Sequence, residues 1–197
     1  MRESLSAAGR QFGHVLKESV GVFGYLDLNL PAGAYGIWAT MTLGLLANAF
    51  IVAGPRERRA LLGIVATAVA VPVLYYAAIA RHGIGLQGRH MLPMLVIVPL
   101  LAGEVILRHR RRLGPLARRT MWSIPAGAAA VQLLAWYANA RRAAVGSNGP
   151  WAFLGHAQWQ PPAGWDTWLA LTIVAVALLG AVATLVHDQP GAVQDSA

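Results

Sequence analysis

The sequence contains no cysteine, so disulfides, thiolate metal sites and cysteine nucleophiles are excluded. Charge is scarce as well. Only 12% of the 197 residues are Asp, Glu, Lys or Arg, about half the share a soluble domain carries. Acids are the scarcest, with 8 Asp and Glu against 16 Lys and Arg. The 6 histidines (His14, His82, His90, His109, His156 and His187) include no i, i+4 pair. No H-E-x-x-H, G-x-S-x-G or Walker loop occurs either, so neither a metal site nor a cofactor is expected.

What the chain has in quantity is apolar sequence: 56% hydrophobic residues and a mean hydropathy of +0.50. These residues gather into runs of about 20, the length that crosses a hydrocarbon core of roughly 30 Å. The expected fold is therefore all-α, a polytopic transmembrane helix bundle of about five spans preceded by an amphipathic interfacial helix. The spans fall at about 31–53, 60–80, 91–107, 120–140 and 165–186. Pro72 lies inside the second and is expected to kink it, and the third is short, with Pro93 and Pro99. Residues 1–30 form the interfacial helix and its lead-in, 31–186 the bundle, and 187–197 a polar tail expected to be disordered.

In the interfacial helix, 1–20, Leu5, Ala8, Phe12, Val15 and Leu16 share one face, with Arg10, His14, Lys17 and Glu18 opposite. Residues 21–30 then make a turn-rich lead-in, and Pro31 suits the first turn of the helix that follows. The net charge of +8 does not point to nucleic acid, because the arginines sit in short connections between apolar runs. Arg56, Arg58 and Arg59 follow the first span, and Arg108, Arg110, Arg111, Arg112, Arg118 and Arg119 follow the third. This dense side is expected to be cytoplasmic. The amino terminus and the 81–90 and 141–164 loops then face outward, the carboxyl terminus inward, and the chain lies in the plasma membrane with membrane lipid as its first partner. Tyr35 and Trp38, Tyr75 and Tyr76, Trp136 and Tyr137, and Trp165 and Trp168 cluster near the outer ends, as an interfacial belt does; Trp122 marks the inner end of the fourth span. With an outward amino terminus, three basic residues in the first 17 positions and no signal peptide, the chain is expected to be the carboxyl-terminal part of a larger protein with further transmembrane helices upstream.

Individual residues carry further expectations. The outer loop RHGIGLQGRH holds a literal G-x-G-x-x-G at Gly83, Gly85 and Gly88, but a Rossmann site needs a preceding strand and a soluble sheet, which a loop between membrane spans lacks. Gln87 and Arg89 in the same loop are the candidate phosphate- or anion-binding residues. Arg89 offers a bidentate donor and the helix start offers free N–H groups; the alternative is that Arg89 snorkels to lipid headgroups. Glu104 is an acid within a span, yet Arg108 one turn on makes an ion pair the favoured role over a proton relay. Asn48, Gln132 and Asn139 are expected to bond between helices. Asp166 is expected to cap the last span and Asp27 to serve a turn or cap. Asp27, Trp159 and Asp166 are also candidates for the outer rim of a polar substrate site. The stretch 144–165, with Trp151, Trp159 and Trp165, is expected to fold onto the outer surface, where tryptophan suits sugar rings and lipid interfaces alike.

Three outward segments, GVFGYLDLNLP at 21–31, LQGRHMLP at 86–93 and GPWAFLGHAQWQPPAGW at 149–165, resemble the domain of unknown function 2142 family of bacterial, largely actinobacterial, polytopic membrane proteins. The resemblance covers nearly the whole chain and is to the carboxyl-terminal part of such a protein; Tyr25 and His90 depart from the pattern. Family members are similar in organisation to type C membrane glycosyltransferases, which take sugars from polyprenyl-phosphate carriers at the outer face. The resemblance thus implies envelope polysaccharide or glycolipid work with a polyprenyl-phosphate-linked sugar as partner. It places the catalytic acid in an amino-terminal loop that this chain lacks, and leaves Arg89 as the phosphate contact. The competing expectation is a non-enzymatic membrane subunit or transporter segment. Transport is disfavoured because no charged residue sits at mid-depth.

Overall fold

The protein, as a computed structural model, is described over residues 2–23, 28–78 and 87–187; the side chains of residues 2–10, 23, 117, 118, 121 and 182–187 are not part of that description. Asp27, Tyr25, Gly83, Gly85 and the tail from 188 onward lie outside the described residues. Among the described residues there are seven helices: α1 (Arg2–Gly21), α2 (Ala32–Val52), α3 (Pro55–Ala78), α4 (Gly88–Arg108), α5 (Arg110–Leu113), α6 (Pro115–Val145) and α7 (Gly164–His187). A two-residue antiparallel pairing of β1 (Val22–Phe23) with β2 (Leu28–Asn29) turns the chain between α1 and α2, pairing Val22 with Asn29 and Phe23 with Leu28.

Four helices among the described residues are long and apolar enough to cross a bilayer: Ala32–Val52, Pro55–Ala78, Gly88–Arg108 and Gly164–Ala181. Their apolar side chains face outward. Leu43, Ile51, Leu74 and Leu100 are each more than 60% exposed, and no more than 28% of the apolar stretch of any of the four is buried. Water does not tolerate so much contiguous hydrocarbon, whereas lipid supplies its natural solvent. The chain is an all-α, multi-pass integral membrane protein.

The expected spans 31–53 and 165–186 match α2 and α7 closely. The third is longer than expected, 21 residues, because α4 starts at Gly88, ahead of the first apolar residue, and runs to Arg108; Pro93 and Pro99 lie inside it, as expected. The expected fourth span lies within the 31-residue α6, which is not among the four apolar helices; alanine, glycine, Gln132 and Asn139 stand where the others carry leucine and valine.

The chain divides into two compact units. The first joins Met1–Asn29 to Ala39–Ala117, and in it α1, α3 and α4 each pack against the other two. Helical periodicity explains the packing faces. Leu61, Ala68 and Pro72 are the buried residues of α3, and Met91, Val98, Ala102 and Val105 line one face of α4. The second unit joins Leu30–Trp38 to Arg118–Ala197. Its core is aromatic: Ala140, Ala144, Phe153 and Trp165, with Trp136, Tyr137 and Val145 packed around them.

Candidate functional site

The α4 amino terminus, where Gln87 and Arg89 were expected to act, is built around a close approach by α1. A Cβ placed on Gly88 would lie 2.2 Å from the Ser19 backbone nitrogen and 2.5 Å from Glu18, so only glycine lets the two backbones meet here. At that contact the Gly88 N–H donates to Glu18 Oε2 at 2.8 Å. The other carboxylate oxygen lies 3.2 Å from His14 Nδ1, and the Glu18 side chain is only 8% exposed. A carboxylate set against the first N–H of a helix is favoured by both the unsatisfied donor and the helix dipole. Glu18 therefore takes, from within the chain, one of the donors that an external anion would use.

Val15, on the expected apolar face of α1, is buried as expected, but the placing of Glu18 on the opposite face is corrected. Glu18 is turned inward, and Gln11, Val15 and Glu18, at i, i+4 and i+7, mark the packed stripe: Val15 is 2% exposed, and Gln11 Nε2 donates to the Tyr76 hydroxyl at 3.0 Å. Hydropathy alone assigned Glu18 to the solvent side because it could not register the polar partner at Gly88. The Gln11–Tyr76 and Gly88–Glu18 bonds fall at one end of the α3–α4 pair, where α3 finishes and α4 starts.

Gln87 precedes α4 with extended backbone, φ −99° and ψ 151°, and its N–H donates to His90 Nδ1 at 3.3 Å. His90 thus plays the part usually taken by Glu or Gln three residues into a helix. Arg89 is exposed and has no hydrogen bond or ion pair among the described residues.

The opposite end of the same unit contains a cluster that sequence reasoning missed. Glu57 Oε2 accepts from the Gly54 N–H at 2.8 Å and lies 2.8 Å from His109 Nε2. The first contact caps α3, with Pro55 at its first position and Glu57 at its third. The second ties the start of α3 to the end of α4. Around it, Arg58 Nε donates to Phe50 O at 3.1 Å and Arg112 Nη1 reaches Val52 O at 3.5 Å, supplying partners to the last carbonyls of α2. The connections after α2 and after α4 therefore share one end of the unit, as the arginine pattern required. Glu57 and His109 are 52 residues apart, a separation no local motif reports.

Glu104 behaves as expected: Arg108 Nε donates to its Oε1 at 2.7 Å, with both side chains more than half exposed. Among the described residues Asn139 bonds within its own helix rather than between helices: its Nδ2 donates to Ala135 O at 2.9 Å, a local partner that Ser, Thr, Asn and Asp readily find. Gln132 is exposed and Asn48 half-buried.

In the second unit the 146–163 connection does fold down, over α6 and the start of α7. Gln158 N–H donates to Ala144 O at 2.8 Å, Tyr137 Oη donates to Trp151 O, and Arg141 Nε donates to Gly149 O at 3.0 Å while its guanidinium lies 4.4 Å from the Trp151 ring centre. Trp165 departs from the expected interfacial belt. It is 9% exposed, set edge-on to Trp136, Phe153 and Trp159, and its Nε1 donates to Trp159 O at 2.9 Å. Trp136 and Tyr137 likewise pack inward. Trp151, Trp159 and Trp168 are 44–55% exposed. Asp166 is exposed and stands inside the first turn of α7 rather than ahead of it. The turn into α7 is made instead by Ala163 and Gly164, at φ 68° and 76°. No group of three or more metal-ligating side chains occurs among the described residues.

Compared with protein-family models, curated proteins and solved structures, the chain matches none. The membrane assignment therefore rests on the helices, and the assignment of a role on the residues above.

Proposed function

We propose that the chain works in the bacterial cell envelope as the carboxyl-terminal portion of a glycosyltransferase-like protein of the plasma membrane, handling polyprenyl-phosphate-linked sugars at the outer face. The observation that carries this reading is Arg89. An exposed guanidinium at the end of a membrane helix, next to Gly88, whose N–H already engages Glu18, suits a phosphate at headgroup depth. The resemblance of 21–31, 86–93 and 149–165 supports the sugar-carrier chemistry, and the half-exposed Trp159 suits a sugar ring. Asp27 and Asp166 stay candidates for the outer rim.

Substituting Arg89→Ala in the complete protein at its native locus tests the reading. Loss of the envelope glycan at an unchanged membrane level of the protein is the expected result; an unchanged glycan profile removes Arg89 and the phosphate site with it. A second reading, a non-enzymatic membrane subunit, is favoured by one observation: Glu18 already fills the Gly88 N–H, as a purely structural junction would have it. That reading expects Arg89→Ala to be silent and Gly88→Ala to lower the protein's abundance.

A further inference from the structure

We infer that the arginine-rich end of the first unit is a binding surface for anionic phospholipid headgroups, held in one piece by the Glu57–His109 contact. Residues 54–59 and 104–112 contribute seven arginines and two glutamates. Both glutamates are engaged within the chain, Glu104 by Arg108 and Glu57 by Gly54 and His109, and seven arginines against two glutamates leave five positive charges in excess. Arg58 and Arg112 are anchored by their bonds to α2 carbonyls, at Phe50 and Val52. Arg56 and Arg110 are exposed and have no hydrogen bond or ion pair among the described residues. They stand on the two connections that the 2.8 Å Glu57–His109 contact brings together.

The occupant follows from the surroundings. Immediately beside these arginines the helices present hydrocarbon outward, Ile51 at 65% and Leu107 at 46% exposed. A ligand with a phosphate diester and acyl chains satisfies both, its phosphate on the guanidiniums and its chains along α2 and α4. A soluble phosphate would leave the apolar flank unused. This surface lies at the opposite end of α3 and α4 from Arg89 and does not depend on the sugar-carrier reading.

Native mass spectrometry of the full chain, released from micelles doped with equal amounts of phosphatidylglycerol and phosphatidylcholine, tests it. The wild type is expected to retain phosphatidylglycerol preferentially. Arg56→Gln with Arg110→Gln should lower that preference, each arginine by roughly five-fold, while Arg56→Lys with Arg110→Lys restores most of it. Arg89→Gln should keep it, whatever that variant does to the glycan. Equal retention of the two lipids by the wild type overturns the proposal without need of any variant. So does a preference that survives the double glutamine variant, or displacement of phosphatidylglycerol by millimolar inorganic phosphate, which would mark a site for free anions.

Discussion

Gly88 and Glu18 hold α1 against the start of α4, and each makes a demand that can be measured. A methyl group on Gly88 would meet the Ser19 backbone at 2.2 Å, so Gly88→Ala must push α1 away. The expected cost is about 1–3 kcal/mol, as for other overpacked sites, read as a lower thermal midpoint in detergent and faster proteolysis near Ser19. Glu18→Ala leaves the buried Gly88 N–H without its partner and should cost about 1–3 kcal/mol. A midpoint unchanged in both variants would mean that the α1–α4 junction carries no stability. Arg89 and Gln87 could be proposed from the sequence because basic and amide groups at a span edge are visible as such. It missed Glu18, because the acid's value depends on a helix start 70 residues away, and Glu57–His109 for the same reason. It misjudged Asn139 and Asp166 because a polar residue near a helix end has several partners within reach, and only coordinates choose among them.

At the scale of elements, length and apolar content made α2, α3, α4 and α7 legible, since crossing a bilayer demands about 20 apolar residues whatever the packing. The helix of the first 20 residues was legible too, and Val15 of its apolar face is buried, but the inward turn of Glu18 was not. Pro93 and Pro99 lie inside α4 as they do in the expected span, and the difference is at its ends, where Gly88, Arg89, His90 and Arg108 extend the helix beyond its apolar run. The tryptophan-rich connection was expected to fold back, and it does so around Phe153, which is fully buried. Phe153→Ala should cost about 3–5 kcal/mol and release residues 146–163 to protease, with α3 and α4 left intact because they lie in the other unit. Ala163 is the one non-glycine residue at positive φ among the described residues, 68°. Ala163→Gly is expected to raise stability by about 1 kcal/mol through relief of the left-handed strain; a drop on calorimetry would show that the turn into α7 is not strained.

For the whole molecule, the decisive property is that the two ends of α3 and α4 differ in chemistry. One end carries α1, Gln87 and Arg89; the other carries the arginine-rich connections tied by Glu57 and His109. If α3 and α4 cross the bilayer, these ends lie on opposite sides of it. The cysteine-free sequence makes the direct test clean: introduce Gln87→Cys and Arg56→Cys separately and treat intact cells with a membrane-impermeant maleimide. Labelling of Gln87→Cys in intact cells, and of Arg56→Cys only after permeabilisation, is the predicted result. Equal labelling of both in intact cells would contradict the membrane-spanning arrangement, and the reverse pattern would contradict the outward placement of Arg89.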